Sequence, residues 1–319
     1  MKIFLVGGSG ALGSAAIPAL LAAGHSVTST ASTEQKAGRV RAAGAEAQTL
    51  DIYNVPALRA AIRGFDAVAR LTTRIPPLSK IRDLAAWNET NRLRTAGARA
   101  LVEACLAEKI PVYVSESVVF TYADGGAREL DESAPIDDAG SPVLRAVLAS
   151  EEEAWRVVRN GGRAVVLRFG GFYSPDDALT QASAEMIEKR QFPLIGSGEA
   201  YRPYVYLSDA GSAVAHALNA PTGSYNVTDD EPLRMKEVIR AMAIALNAPR
   251  PLHLPGVMGA LTFGHVWKYF NRSQRVSNAA FKQATGWAPA VRNVRQGWHL
   301  IAEAREAERR GGRARRASA

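Results

Sequence analysis

Residues 2–13, KIFLVGGSGALG, constrain the fold more than any other part of the chain. Lys2 to Val6 is a short apolar run cut off by glycine, the pattern of a strand buried on both faces. Gly7, Gly10 and Gly13 follow at a spacing of three, and over 11–23 the apolar residues recur at helical spacing. Strand, glycine turn and helix in that order build a place for a pyrophosphate. The first glycine turns the chain, the second lets the backbone approach the phosphates, and the third lets the helix pack against its strand. Open N–H groups and a partial positive charge at the helix N-terminus complete the site. Gly7, Gly10, Ala11, Leu12 and Gly13 are therefore expected to hold a dinucleotide.

Downstream, strand and helix patterns alternate. Residues 25–30, 45–50, 65–71, 112–115 and 163–168 read as further strands, with helices over 55–63, about 81–108 and 143–159. Such alternation predicts an α/β fold with a doubly wound parallel sheet of the Rossmann type, its ligand crevice at the carboxyl ends of the strands. Asp51, Ile52, Leu71, Thr72, Ser115, Ser117 and Phe169 fall at those ends. Beyond Pro175 the alternation breaks. The expected organisation is a dinucleotide-binding domain over 1–174, joined by about 201–228, a smaller substrate lobe over 175–310, and a basic disordered tail over 311–319. The apolar stretch 257–270 (VMGALTFGHVWKYF) reads as core packing, with a wall of the substrate pocket as the alternative.

The residue after the second strand usually chooses the cofactor, since an acid there binds the ribose hydroxyl of NAD and repels the phosphate of NADP. Here Ser29, Ser32 and Thr33 stand where that acid would be, with Lys36 and Arg39 on the next helix. Ser32 is thus expected beside NADP, while Glu34 leaves NAD open.

The net charge of +8 raises the question of nucleic acid. Six arginines against two glutamates leave +4 over 305–319, so half the excess belongs to the tail. No aromatic platform accompanies it, and no nucleic-acid partner is expected. No apolar run reaches the length of a membrane span, and IFLV is too short for a signal peptide, so a cytoplasmic enzyme is expected. The one cysteine, Cys105, lies on an apolar helical face and reads as a buried thiol. The five histidines lack metal-ligand spacing, and neither GxSxG nor GxxxxGK[ST] occurs.

These motifs together resemble the extended short-chain dehydrogenase/reductase superfamily, within the NAD-dependent epimerase/dehydratase family. The resemblance runs through nearly the whole chain. GGSGALG matches the cofactor loop, Asp51 the aspartate beside the adenine, and LTT (71–73) the strand-four segment that lines the cofactor. VSESVVF resembles the strand-five motif and puts Ser117 at the catalytic Ser/Thr position. LRFGGFYSP resembles the turn near the nicotinamide, YRPYVYLSDAGSAVAHAL the segment after the substrate loop, and SQRVSNAAFKQATGWAP the C-terminal helix and turn. The resemblance implies a small-molecule substrate and a homodimer through the helices near 81–108 and 143–159.

One departure limits what the resemblance implies about chemistry. The family's Tyr-x-x-x-Lys pair aligns with Leu144 and Leu148, and none of the nine tyrosines has a lysine four residues on. The tyrosine would exchange a proton with the carbonyl oxygen, its pKa lowered by the lysine and the cofactor's charge. Leucine does neither. Tyr122, Tyr173 and Glu116 are candidate replacements beside Ser117, and Arg202 and Asp209 are candidate contacts for a polar substrate group. Three functions stay open: an NADP-linked oxidoreductase, epimerase or dehydratase with a substituted proton donor; a non-redox lyase, cyclase or isomerase acting on an apolar substrate; and an NADP(H)-sensing protein without turnover.

Overall fold

A computed structural model describes residues 1–264 and 267–317. Strands β1 (Lys2–Val6), β2 (Ser26–Ala31), β3 (Glu46–Thr49), β4 (Ala67–Arg70), β5 (Val112–Val118), β6 (Arg163–Phe169) and β7 (Gly223–Val227) form one sheet. Its order is β7-β6-β5-β4-β1-β2-β3, and every pairing is parallel. The order reverses between β1 and β4, which opens a crevice at their carboxyl ends.

The KIFLV run is continuous because both faces of β1 are covered. Ile3 and Leu5 point into one core, with helix α1 (Ala11–Ala22) and the later helix Leu207–Ala217. Phe4 and Val6 point into the other, with helices Val55–Ile62, Ala98–Ala107 and Pro142–Arg159. Helices α1 and Leu207–Ala217 pack so closely that a Cβ on Gly211 would lie 2.3 Å from the Ala15 carbonyl oxygen.

The helix expected over 81–108 is interrupted. Single 3-10 turns at Leu78–Lys80 and Leu84–Trp87 lead into Asn88–Arg92, a π-helical turn at Leu93–Gly97, and only then Ala98–Ala107. The Asp83 side chain accepts the Ala85 N–H at 2.9 Å, closing a local turn where a helical bond would stand. Strand β5 is longer than expected and carries Glu116 and Ser117 inside the sheet.

Past Tyr173 a smaller core gathers Val238, Met242, Val294, Trp298 and Ile301 around the Tyr173 ring. Helix Val257–Phe263 departs from the expected core packing, since Val257 and Leu261 are more than two-thirds exposed. Gly259 is tightly covered by the Trp267 indole. His265 and Val266 lie outside the described residues. The last helix, Val294–Ala317, runs into the stretch read as a disordered tail, whose final two residues also lie outside those described. Among the described residues no helix is long and apolar enough to cross a membrane. Cys105 is buried, and burial pushes its thiol pKa up.

Candidate cofactor and substrate site

The glycine loop is built as its spacing requires. Gly7 has φ +107°, a backbone region that side chains disfavour. A Cβ on Gly13 would lie 2.2 Å from the Gly7 carbonyl oxygen, so the helix can approach the loop only there. Gly10 donates to that oxygen at 3.0 Å and becomes the N-cap of α1, which has no side-chain capping hydrogen bond among the described residues. Ser29 locks the loop from beneath, accepting the Gly8 N–H at 3.0 Å and donating to the Leu5 carbonyl at 3.0 Å. Above lies a cavity of about 300 Å³, lined by Gly8, Ser9, Gly10, Ala11, Ser14 and Arg39 and also by Asp176, Asp177 and Leu207. This cradle, open where a Cβ would fill it, fits a pyrophosphate.

Around it the expected cofactor residues divide. Thr72 hydrogen-bonds the Val6 carbonyl at 2.8 Å and sits against Gly7. Asp51 is exposed and accepts the Tyr53 N–H at 3.0 Å, while Ile52 approaches Gly97. Ser32 accepts from the Lys36 ammonium at 2.9 Å, and Glu34 turns away to pair with Arg41. Arg39 has no ion-pair partner among the described residues. Leu12 and Leu71 are buried beside the loop. Ser115 and Phe169 lie deeper than the others. Both are wholly enclosed, Ser115 accepting from Arg70 at 3.1 Å and Phe169 packed in the core against Phe172. Neither presents surface to a ligand.

The proton-donor candidates each have partners within the fold. Ser117 is fully buried and donates to Glu151, which Arg168 grips through both carboxylate oxygens at 2.9 and 2.6 Å. Burial works against the Arg168 charge, but Glu151 outweighs it and raises the pKa. Tyr122 is fully buried, donating to Asn226 at 2.8 Å and accepting from Arg168 at 3.0 Å; burial raises its pKa. Glu116 lies between two buried arginines, 3.2 Å from Arg94 and 3.6 Å from Arg70. Tyr173 turns into the smaller lobe, where its hydroxyl donates to the Asn293 carbonyl at 3.3 Å, and burial lifts its pKa well above the usual value. Asp209 holds the C-terminal turn by accepting the Ala290 and Val291 N–H groups at 3.0 and 2.9 Å. Arg202 is buried with its guanidinium 5.3 Å from the Phe120 ring.

Three things escaped the sequence reading. Glu151 and Arg168 lie 17 positions apart on a helix and a strand, with nothing in either segment to join them. The cavity wall at Asp176 and Asp177 directly follows the YSP turn, so its place was available in principle. Arg94 was hidden because an arginine in a helical stretch reads as solvated.

The sequence profile of the NAD dependent epimerase/dehydratase family matches residues 3–228. A relative described as 3-diazoavenalumate denitrifying reductase, from a Streptomyces species, is 32% identical over 308 residues, covering 93% of this chain and 99% of the relative. The 2-alkyl-3-oxoalkanoate reductase of Stenotrophomonas maltophilia is 26% identical, covering 78% of this chain and 77% of its own. Among solved structures, human epimerase family protein SDR39U1 with NADPH superimposes with a TM-score of 0.79 at 22% identity, over 95% of this chain and 99% of that one. UDP-glucose 4-epimerase of Thermus thermophilus with NAD gives 0.74 at 23% identity, over 95% and 98%.

Sheet order, glycine cradle and matched profile define an extended short-chain dehydrogenase/reductase. The chain belongs to the NAD dependent epimerase/dehydratase family and is an NAD(P)-binding protein.

Proposed function

We propose that this chain is an NADP-linked reductase of a small molecule whose reduction needs a hydride but no proton from a tyrosine. The observation that carries this reading is the state of the donor groups. No tyrosine of the sequence has a lysine four residues on, and Ser117, Tyr122, Glu116 and Tyr173 are enclosed and hydrogen-bonded or ion-paired within the fold. A substrate carbonyl would thus lack the acid that such reductions use.

The bound dihydronicotinamide would supply hydride. Delivered to a diazonium carbon, hydride displaces dinitrogen, which leaves with the carbon–nitrogen bonding pair, and no proton has to be placed. The diazo relative has this substrate chemistry in its name. Reductases among the relatives favour a redox activity over a lyase, cyclase or isomerase and over a sensor without turnover.

The chain's own part is to hold and orient. The Gly10 and Ala11 end of α1 receives the pyrophosphate, and Thr72 and Asp51 border the crevice. NADP is preferred because Ser32, Lys36 and Arg39 meet the adenosine phosphate while Glu34 is held by Arg41.

The test is turnover of NADPH with an arenediazonium salt and with a ketone panel, reading loss of dihydronicotinamide absorbance and release of dinitrogen. Dinitrogen formed in step with NADPH oxidation is expected. Ketone reduction at a comparable rate, or no oxidation with the diazonium, contradicts the reading.

A further inference from the structure

Part of the lining of the cofactor cavity is acidic, which a pyrophosphate by itself does not call for. Asp176 and Asp177 border the same space of about 300 Å³ as Gly10, Ala11 and Arg39. Two phosphates bring negative charge into that space, and a bare carboxylate beside them repels it. The two acids differ in what they already do. Asp177 is the N-cap of the helix Ala178–Glu188, accepting the Thr180 N–H and hydroxyl at 2.8 and 2.9 Å. Asp176 is exposed, with neither a hydrogen bond nor an ion pair among the described residues. Arg39 shares the cavity with it, yet the cation and the carboxylate do not pair.

The topology says which part of a dinucleotide Asp176 meets. Such a cofactor spans the crevice where the strand order reverses, with its adenosine half on the side of β2 and its other half across β1. Arg39 stands on the helix Glu34–Ala42 after β2, the adenosine side. Asp176 arrives from the other side, beyond β6 and the short strand Gly171–Tyr173. That strand pairs in parallel with Tyr204–Tyr206, so Asp176 and Leu207 reach the cavity from the same end of one ribbon. Burial, and then the nearby Asp176 charge, raise the pKa of Tyr206 at that end.

An ionised carboxylate accepts hydrogen bonds and donates none. The donors that flank a dinucleotide's pyrophosphate are ribose hydroxyls, and acids in these folds accept from them. In NADP the adenosine ribose carries phosphate at its 2′ position, so the nicotinamide ribose alone keeps two adjacent hydroxyls. Two hydroxyls match the two oxygens of one carboxylate. We infer that Asp176 binds the 2′,3′-diol of the nicotinamide ribose and so holds the reactive end of the cofactor. The inference rests on the NADP-linked reading above and assigns a residue to the half of the nucleotide that the glycine loop does not reach.

Calorimetric titration with NADPH and with adenosine 2′,5′-bisphosphate, which lacks the second ribose, tests it. EDTA is present throughout, so that no divalent cation bridges carboxylate and pyrophosphate. Asp176→Ala is expected to weaken NADPH binding by about tenfold while changing bisphosphate binding by less than about twofold. Asp176→Asn, which keeps one acceptor oxygen, is expected to fall between the wild type and Asp176→Ala. The melting temperature of both variants should match the wild type, because the side chain is exposed and without a partner. Unchanged or tighter NADPH binding in Asp176→Ala overturns the assignment and makes Asp176 a repulsive wall. Equal weakening of both ligands overturns it as well, in favour of a structural role. Failure of the wild type to bind NADPH at all overturns the cofactor reading, and this assignment with it.

Discussion

Gly10 and Gly13 are three residues apart and do different work. At Gly13 a side chain would collide with the Gly7 carbonyl and the Gly8 Cα, at 2.2 and 2.5 Å, so helix and loop would have to separate. At Gly10 the nearest atom to a Cβ is the Gly7 oxygen at 3.3 Å, and the residue is exposed on the cavity. Gly13→Ala is therefore expected to destabilise the fold by about 1–3 kcal/mol, the usual range for overpacking. Gly10→Ala should leave the melting temperature nearly unchanged while weakening NADPH binding by about tenfold or more. Thermal melts and NADPH titrations of the two variants check this; equal stability losses would mean that Gly10 is structural.

Between elements, the most consequential tie is the one from α-helix Pro142–Arg159 to β6. Glu151 accepts from Ser117 and twice from Arg168, with both partners of the ion pair nearly buried. Removing one member leaves the other charge buried and unpaired, which typically costs about 3–5 kcal/mol. Glu151→Ala should lose stability on that scale by chemical denaturation, and Arg168→Met a comparable amount. The double variant should lose less than the sum, because each single change strands the same partner. Additive losses would show that the two side chains do not act as a pair.

This tie also marks where sequence reading ran out. The glycine loop and the parallel alternation were legible because local spacing fixes them. Ser117 was legible as a position but not as a state. Its burial depends on Glu151, a helix residue in an acidic run that reads as solvent-facing. Likewise the apolar 257–270 stretch gave hydrophobicity without saying whether a neighbour would cover it, and Val257 and Leu261 are left exposed. The π-helical turn at Leu93–Gly97 had no local signature, since it goes with a charge pair reaching across to β5.

At the scale of the whole molecule, the main sheet gives way just past β7 to the segment that leads to the smaller core. Asp229 lies there, 2% exposed, its N–H donating to the Tyr204 carbonyl at 2.7 Å. Among the described residues neither carboxylate oxygen has a hydrogen bond of ordinary geometry, while the Glu231 N–H eases its charge. Burial, and then the charges of Asp230, Glu231 and Asp209, raise its pKa well above the usual carboxylate value. A raised folded-state pKa means that folding favours the protonated form. Its stabilising effect is full below the unfolded pKa of about 3.9 and is lost as pH rises through the folded value. Asp229→Asn should therefore stabilise the protein, with a gain that grows from about pH 4 upward until Asp229 is fully ionised. Denaturation at a series of pH values checks the sign, and a gain that shrinks with rising pH would contradict it.

The proposed function depends on a dinucleotide resting at the glycine cradle with its adenosine phosphate toward Lys36 and Arg39. Fluorescence titration of the purified chain with NADPH and with NADH tests this most directly. Saturable NADPH binding is expected, at least about tenfold tighter than NADH, with most of the difference lost in Arg39→Ala. Failure to bind either nucleotide would contradict it.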